Sequence, residues 1–297
     1  MATRAERARR GDAVFSALTG TFALAVVASF AFVLLLLGQR ALPAVRAFGP
    51  GFLWSQEWVP DQQRFGALAY VYGTVASSLI ALAVAVPVSV GTALALVTLL
   101  PRRLADSLGI VIELLAAVPS IVFGVWGLAV VAPFVAGLSG GQSFGPSLLA
   151  AGLVLAVMVL PIITAVTRDL LRAVPAAQTE AALALGATRW EVGWRIVLPH
   201  ARTGILAAVI LGLGRATGET MAVIMVIGNQ PLLHFSPFKP AATMASLIAN
   251  EFGDPSGPLH TAALVEIGLL MLGISLGLNL LARLIVRRLG RRMGGTA

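Results

Sequence analysis

The sequence predicts an all-α membrane protein with six transmembrane helices. Two bulk observations and one pattern carry that prediction. Of the 297 residues, 58% are hydrophobic and only 11% are charged, against about 45–50% and about 25% in soluble domains. Mean hydropathy is correspondingly high, at +0.91. The apolar residues also fall in long blocks almost free of charge. A hydrocarbon core of about 30 Å selects that pattern, because about 20 apolar residues in helix cross it. A water-soluble fold is disfavoured, since too few polar residues remain to cover its surface.

Six blocks meet the length, at 14–37, 73–100, 109–135, 147–167, 203–228 and 261–286. The first follows Arg4, Arg7, Arg9 and Arg10, as a signal peptide would. It runs well beyond the roughly 7–15 residues of a cleaved apolar region and reads as a retained helix. The organisation is then an N-terminal segment 1–13, a six-helix domain 14–286 and a basic tail 287–297.

Charge sets the orientation. The chain carries 21 Lys+Arg against 13 Asp+Glu. Placing the N-terminus in the cytoplasm puts most of the basic residues on that side, in 1–13, 101–108, 168–202 and the stretch from Arg283. The opposite side keeps Arg40, Arg46, Arg64 and Lys239, and Arg215 falls inside a span. That asymmetry is the positive-inside pattern. The same distribution argues against nucleic acid, because there is neither a basic stripe nor interleaved aromatics for bases to stack on.

Cysteine is absent, which removes disulfides, thiol nucleophiles and thiolate metal sites. His200, His234 and His260 lack metal-ligand spacing and read as loop histidines. Pro87, Pro119 and Pro161 fall inside predicted spans two, three and four. Each removes a donor and bends its helix, either to line a pathway or as a tolerated kink. Two long external connections are expected, 38–72 with Trp54, Trp58 and Tyr70, and 229–260 with Phe238 and Phe252. Their aromatics fit interfacial anchors or a docking surface for an external partner.

The 168–202 connection has a grammar of its own. Pro175 suits a first turn, the run from Ala176 to Leu185 is strongly helix-forming, and Gly186 allows a left-handed stop. Thr188 with Glu191 forms a capping box for a second helix carrying Trp190, Trp194 and Ile196, which Pro199 is expected to end. Glu180-Ala181-Ala182, Gly186, Ile196, Leu198 and Pro199 resemble the EAA loop of ABC importer permeases. The resemblance implies a type I importer permease (MetI-like) fold in a bacterial inner membrane with both termini cytoplasmic. It also implies that Glu180, Ala181, Ala182 and Gly186 belong to coupling helices seated in a cytoplasmic ATPase.

Span five holds Gly212-Leu213-Gly214-Arg215-Ala216-Thr217-Gly218-Glu219-Thr220. This is no P-loop, because Glu219 stands where lysine is required and no strand precedes it. Hydrolysis is therefore expected on a partner chain, and this chain is expected to be no enzyme. Gly214 and Gly218 have the small-xxx-small spacing of close helix contacts. A mid-membrane arginine costs about 2.5–3.5 kcal/mol. Arg215 and Glu219 at i,i+4 are expected to share one face and neutralise each other, as structural glue or as part of a substrate pathway.

The string from Gly214 to Val223 is similar to the fifth helix of the phosphate-importer permease family, PstC. Glu113 to Ser120 with Gly124, Trp126 and Gly127, and Phe65-Gly66 with Tyr72-Gly73-Thr74, are similar to other parts of that family. The resemblance implies half of a phosphate pathway. It also implies a PstA-like second permease, an ATP-binding subunit dimer carrying ATP and Mg, and an external phosphate-binding protein. No cofactor is expected on this chain. Arg215 is expected to contact the anion through its planar donor fork while Glu219 competes for it, keeping binding weak. Glu113 and Pro119 are candidate gating positions; Glu113 and Glu266 are otherwise expected to snorkel or cap, with no partner. The PstA-like sister role, another oxyanion, and an ion-coupled secondary anion transporter remain alternatives.

Overall fold

In the computed structural model, residues 4–141 and 144–291 are described. The ends of the predicted segments, residues 1–3 and 292–297, lie outside the described residues. The first described element is a long helix, α1 (Arg4–Phe48), which is exposed from Val14 to Val33 and whose Ala41 and Ala44 are fully buried. A short loop with two 3-10 turns leads to α2 (Leu68–Leu94), extended by a π-turn over Ala95–Leu99. Next come α3 (Arg102–Ala116) and a third span, built from α4 (Ser120–Trp126), a π-turn and α5 (Ala132–Leu138). Then follow α6 (Leu148–Arg172), α7 (Ala176–Ala184), α8 (Arg189–Val192) with a π-turn over Gly193–Val197, and α9 (Leu198–Thr217). The chain continues through α10 (Met221–Val226) and α11 (Met244–Glu251) to α12 (Pro258–Arg291).

Among the described residues six helices are long and apolar enough to cross a membrane, as expected. Layering follows from their burial. Of the most apolar stretch of α6, 61% is buried, against none in α1. α6 is the central helix, packed on α2, α9, α10 and α4, while α1 lies outside on α12. The α6 sequence permits this: Ala150, Ala151, Gly152 and Ala156 let neighbours approach closely. Its first turn is satisfied by the far side of the bundle. Ser147 N–H donates to the Val226 carbonyl, Leu148 N–H to Lys239 and Leu149 N–H to Pro237, at 2.9, 3.0 and 2.8 Å.

Several expected boundaries move. The third span begins at Ser120 rather than 109, because Pro119 bars the helical conformation from Val118 and ends α3 before it. Pro119 is thus an N-cap and not a kink inside a span, whereas Pro87 and Pro161 do lie within α2 and α6. Pro199 ends nothing. It sits in the first turn of α9, where its missing N–H costs little after the π-turn that carries α8 into the span. The helix of span five stops instead at Thr217.

The two connections expected to be external are folded rather than open. α1 runs to Phe48, which shortens the first loop, and α11 occupies the second. Phe52, Trp58, Phe65 and Tyr70 are buried together with Met244, Leu247 and Leu264. Trp58 and His260 both hydrogen-bond Glu251 Oε2 at 2.8 Å. These aromatics form an internal core, so neither expected use describes them; Trp54 and Phe252 remain exposed.

Candidate functional site

The turn between α7 and α8 is fixed by local chemistry. Ala187 N–H donates to the Ala182 carbonyl at 3.1 Å and Gly186 N–H to Leu183 at 3.0 Å. This pair is a Schellman stop, with Gly186 at φ +88°. No atom lies within 4 Å of where a Gly186 Cβ would be, so backbone conformation and not space demands glycine there. Thr188 then restarts the chain. Glu191 N–H donates to Thr188 Oγ1 at 3.3 Å, and Thr188 N–H donates to Glu191 Oε2 at 2.9 Å, the expected capping box.

The turn presents one face outward. Glu180, Ala181 and Gly186 are exposed, while Ala182 is buried against Leu171, Val174, Val192 and Val197. Ala182 therefore seats α7 on the bundle, and Glu180 and Ala181 face away from it. Trp190 and Trp194, one turn apart, stack with ring centroids 6.0 Å apart while both remain exposed. An exposed indole pair beside the turn adds apolar surface for a partner. Their i,i+4 spacing was the available signal for the stack.

Span five breaks where its charges lie. α9 ends at Thr217, Gly218 caps it, and α10 restarts at Met221. The break falls between Arg215 and Glu219, so the expected i,i+4 ion pair is not formed, and no contact within 4.0 Å joins them. Glu219 instead accepts the Ala222 N–H at 3.4 Å and caps α10. Arg215 is exposed and lies in the last turn of α9, where the carbonyl end of the helix favours a cation. It stands on a stripe with Ala207, Leu211 and Gly218, all exposed. The opposite stripe, Ala201, Ile205, Ala208, Gly212 and Ala216, is buried. Close helix contact is made by Gly212, whose Cβ would meet Ile163 at 2.7 Å, rather than by Gly214 or Gly218.

Glu113 has a partner that the sequence did not reveal. Arg168, at the end of α6, donates to Glu113 Oε1 at 2.8 Å and to Asp169 at 3.0 Å, and Arg172 pairs with Asp106 at 2.9 Å. The Arg168–Glu113 and Arg172–Asp106 pairs clamp the amphipathic α3 onto the end of α6. Glu113 reads as part of this clamp, and Pro119 as the hinge that frees α3 from the third span. Glu266 lies half-buried on α12, and its Oε2 has no hydrogen-bond partner among the described residues. Nor are any three His, Cys, Asp or Glu among the described residues placed to hold a metal ion.

Comparison with known proteins agrees with the fold. The family model described as binding-protein-dependent transport system inner membrane component matches residues 85–294. The chain is 43% identical to the phosphate transport system permease protein PstC of Mesorhizobium japonicum, covering 89% of this chain and 86% of that one. It is 42% identical to PstC of Pasteurella multocida, covering 89% and 88%. Among solved structures it is similar to a bacterial alginate ABC transporter in complex with its periplasmic protein, with a TM-score of 0.66 and 16% identity over 94% of this chain and 97% of that one. It is also similar to the MetNI methionine ABC transporter in an inward-facing conformation, with a TM-score of 0.59 and 18% identity over 74% and 94%. A six-span helical bundle with this exposed turn, matched over most of its length, belongs to the binding-protein-dependent transport system inner membrane component family.

Proposed function

We propose that the chain is the membrane-spanning permease subunit of an ATP-driven importer of inorganic phosphate, forming half of its translocation pathway. The observation that carries this reading is the rigid, outward-facing turn of Glu180, Ala181 and Gly186. A loop held by a Schellman stop and a capping box transmits a push without changing shape, which is what seating in an ATPase requires. The PstC relatives support phosphate as the cargo.

The exposed stripe of α9 is the pathway face. It offers a single charged fork, Arg215, to an anion, and a second, PstA-like permease covers it to complete the channel. The end of the helix offsets part of the arginine charge, which keeps the anion weakly held and releasable. Glu219 acts by holding the start of α10 and thereby the break beside Arg215. ATP and Mg belong to a partner ATPase dimer, and an external phosphate-binding protein delivers the anion. The arginine-rich ends, including the termini, face the cytoplasm.

Purification of the chain from membranes with its bound partners, followed by reconstitution, tests this reading. Phosphate uptake into the vesicles should require ATP and persist when ion gradients are collapsed. Uptake driven by an ion gradient without ATP would replace the importer with a secondary transporter.

A further inference from the structure

Behind the outward turn the same segment leaves a space. A cavity of about 350 Å³ lies between the inner face of α7, the end of α6, the π-turn after α2 and the start of α8. A second, of about 580 Å³, adjoins it below α3, the two sharing Val97 and Arg172. Both volumes fall in the range of small-molecule sites, about 300–1,000 Å³. The first takes Ala176, Thr179 and Leu183 from α7, a stripe between the buried Ala182 and the exposed Glu180. Along that stripe α7 is therefore not packed solidly against the bundle.

The charge in this space is one-sided. Arg172 and Arg189 line the first cavity with no carboxylate, and the second adds Arg102 with Asp106 alone against it. Arg172 donates to Asp106 through one nitrogen, at 2.9 Å, which leaves most of its five donors free. Arg189 and Arg102 are exposed, and neither forms a hydrogen bond or ion pair with the described residues. Thr98 and Thr179 each donate to a carbonyl of their own helix at 2.8 Å, so the guanidinium groups are the available donors. Planar donor forks around a partly apolar pocket match the oxygens of a phosphate group. An apolar void would instead stay dry.

We propose that this cavity binds a phosphate-bearing anion behind the coupling helix and so sets how firmly α7 and α8 are held to the bundle. The shared chemistry is a phosphate group at the cytoplasmic ends of the spans, supplied either as free phosphate or as the headgroup of an anionic lipid. The location as cytoplasmic rests on the proposed orientation. Binding itself does not depend on transport, so failure here would leave the importer reading standing.

The test is amide hydrogen exchange over 176–192 in the assembled complex without nucleotide. One arm adds inorganic phosphate in phosphatidylcholine nanodiscs. The other replaces phosphatidylcholine with phosphatidylglycerol and adds no phosphate. In one arm or both, exchange should slow about tenfold when the anion is present at about ten times its Kd. The slowing should vanish in the Arg102→Gln/Arg189→Gln double variant, which removes no hydrogen bond or ion pair among the described residues. Slowing in the first arm alone identifies free phosphate, and slowing in the second alone identifies the headgroup. Equal exchange in wild type and variant in both arms would overturn the proposal.

Discussion

The turn at 185–188 and the break at 218–220 each interrupt a helix for a few residues, yet they are held by opposite means. Every bond that shapes the first lies between Ala181 and Val192. The second has a weaker local hold, with Ala222 N–H donating to Glu219 Oε1 at 3.4 Å and Thr220 Oγ1 to the Gly218 carbonyl at 3.5 Å. Gly218 adopts φ −98° and ψ 0°, a conformation open to any residue, and the restart depends on α10 packing against α4 and α6. Val223 and Val226 are buried there, at 1% and 0% exposure. A turn fixed by its own residues keeps its shape when the bundle moves. A break fixed by its neighbours changes with them, which suits a place where a pathway opens.

Substitutions can break or sharpen this contrast. The largest expected effect is at Arg215, where Arg215→Gln should bring phosphate uptake by the reconstituted complex to background while the partners still co-purify. Gly186→Val comes next. A β-branched residue at φ +88° costs about 1–2 kcal/mol or more, so uptake per ATP hydrolysed should fall several-fold with the spans still inserted; unchanged stoichiometry would detach the turn from force transmission. Thr188→Ala removes the cap and should lower the thermal stability of α8 by about 1 kcal/mol, read as faster amide exchange over 189–192.

The smallest effects are expected where the structure assigns packing or surface charge. Gly218→Ala should leave uptake within about twofold, because its conformation suits alanine and the new Cβ would lie 3.7 Å from the nearest atom. A collapse of uptake there would mean that the break needs glycine and is local after all. Glu113→Gln should cost about 0–1 kcal/mol, since the carboxylate is 53% exposed and Arg168 keeps Asp169.

The same contrast explains what was legible in the sequence. Six spans followed from apolar length, and the turn at 185–188 followed from Pro175, Gly186, Thr188 and Glu191, because each acts within one helical turn of itself. The Arg215–Glu219 pair was misread because i,i+4 neighbours meet only in an unbroken helix, and the break comes from helices distant in sequence. The Glu113–Arg168 bond joins residues 55 apart, and the Trp58–Glu251 bond joins residues 193 apart. No local pattern reports such contacts. The third span was extended too far because α3 is apolar on one face and runs directly into Pro119.

The most direct test of the account measures phosphate uptake and ATP hydrolysis together, in vesicles of the assembled complex carrying Arg215→Gln. The account predicts that hydrolysis continues, because the turn proposed to meet the ATPase is intact, while phosphate no longer enters. Uptake at the wild-type rate in that variant would contradict it.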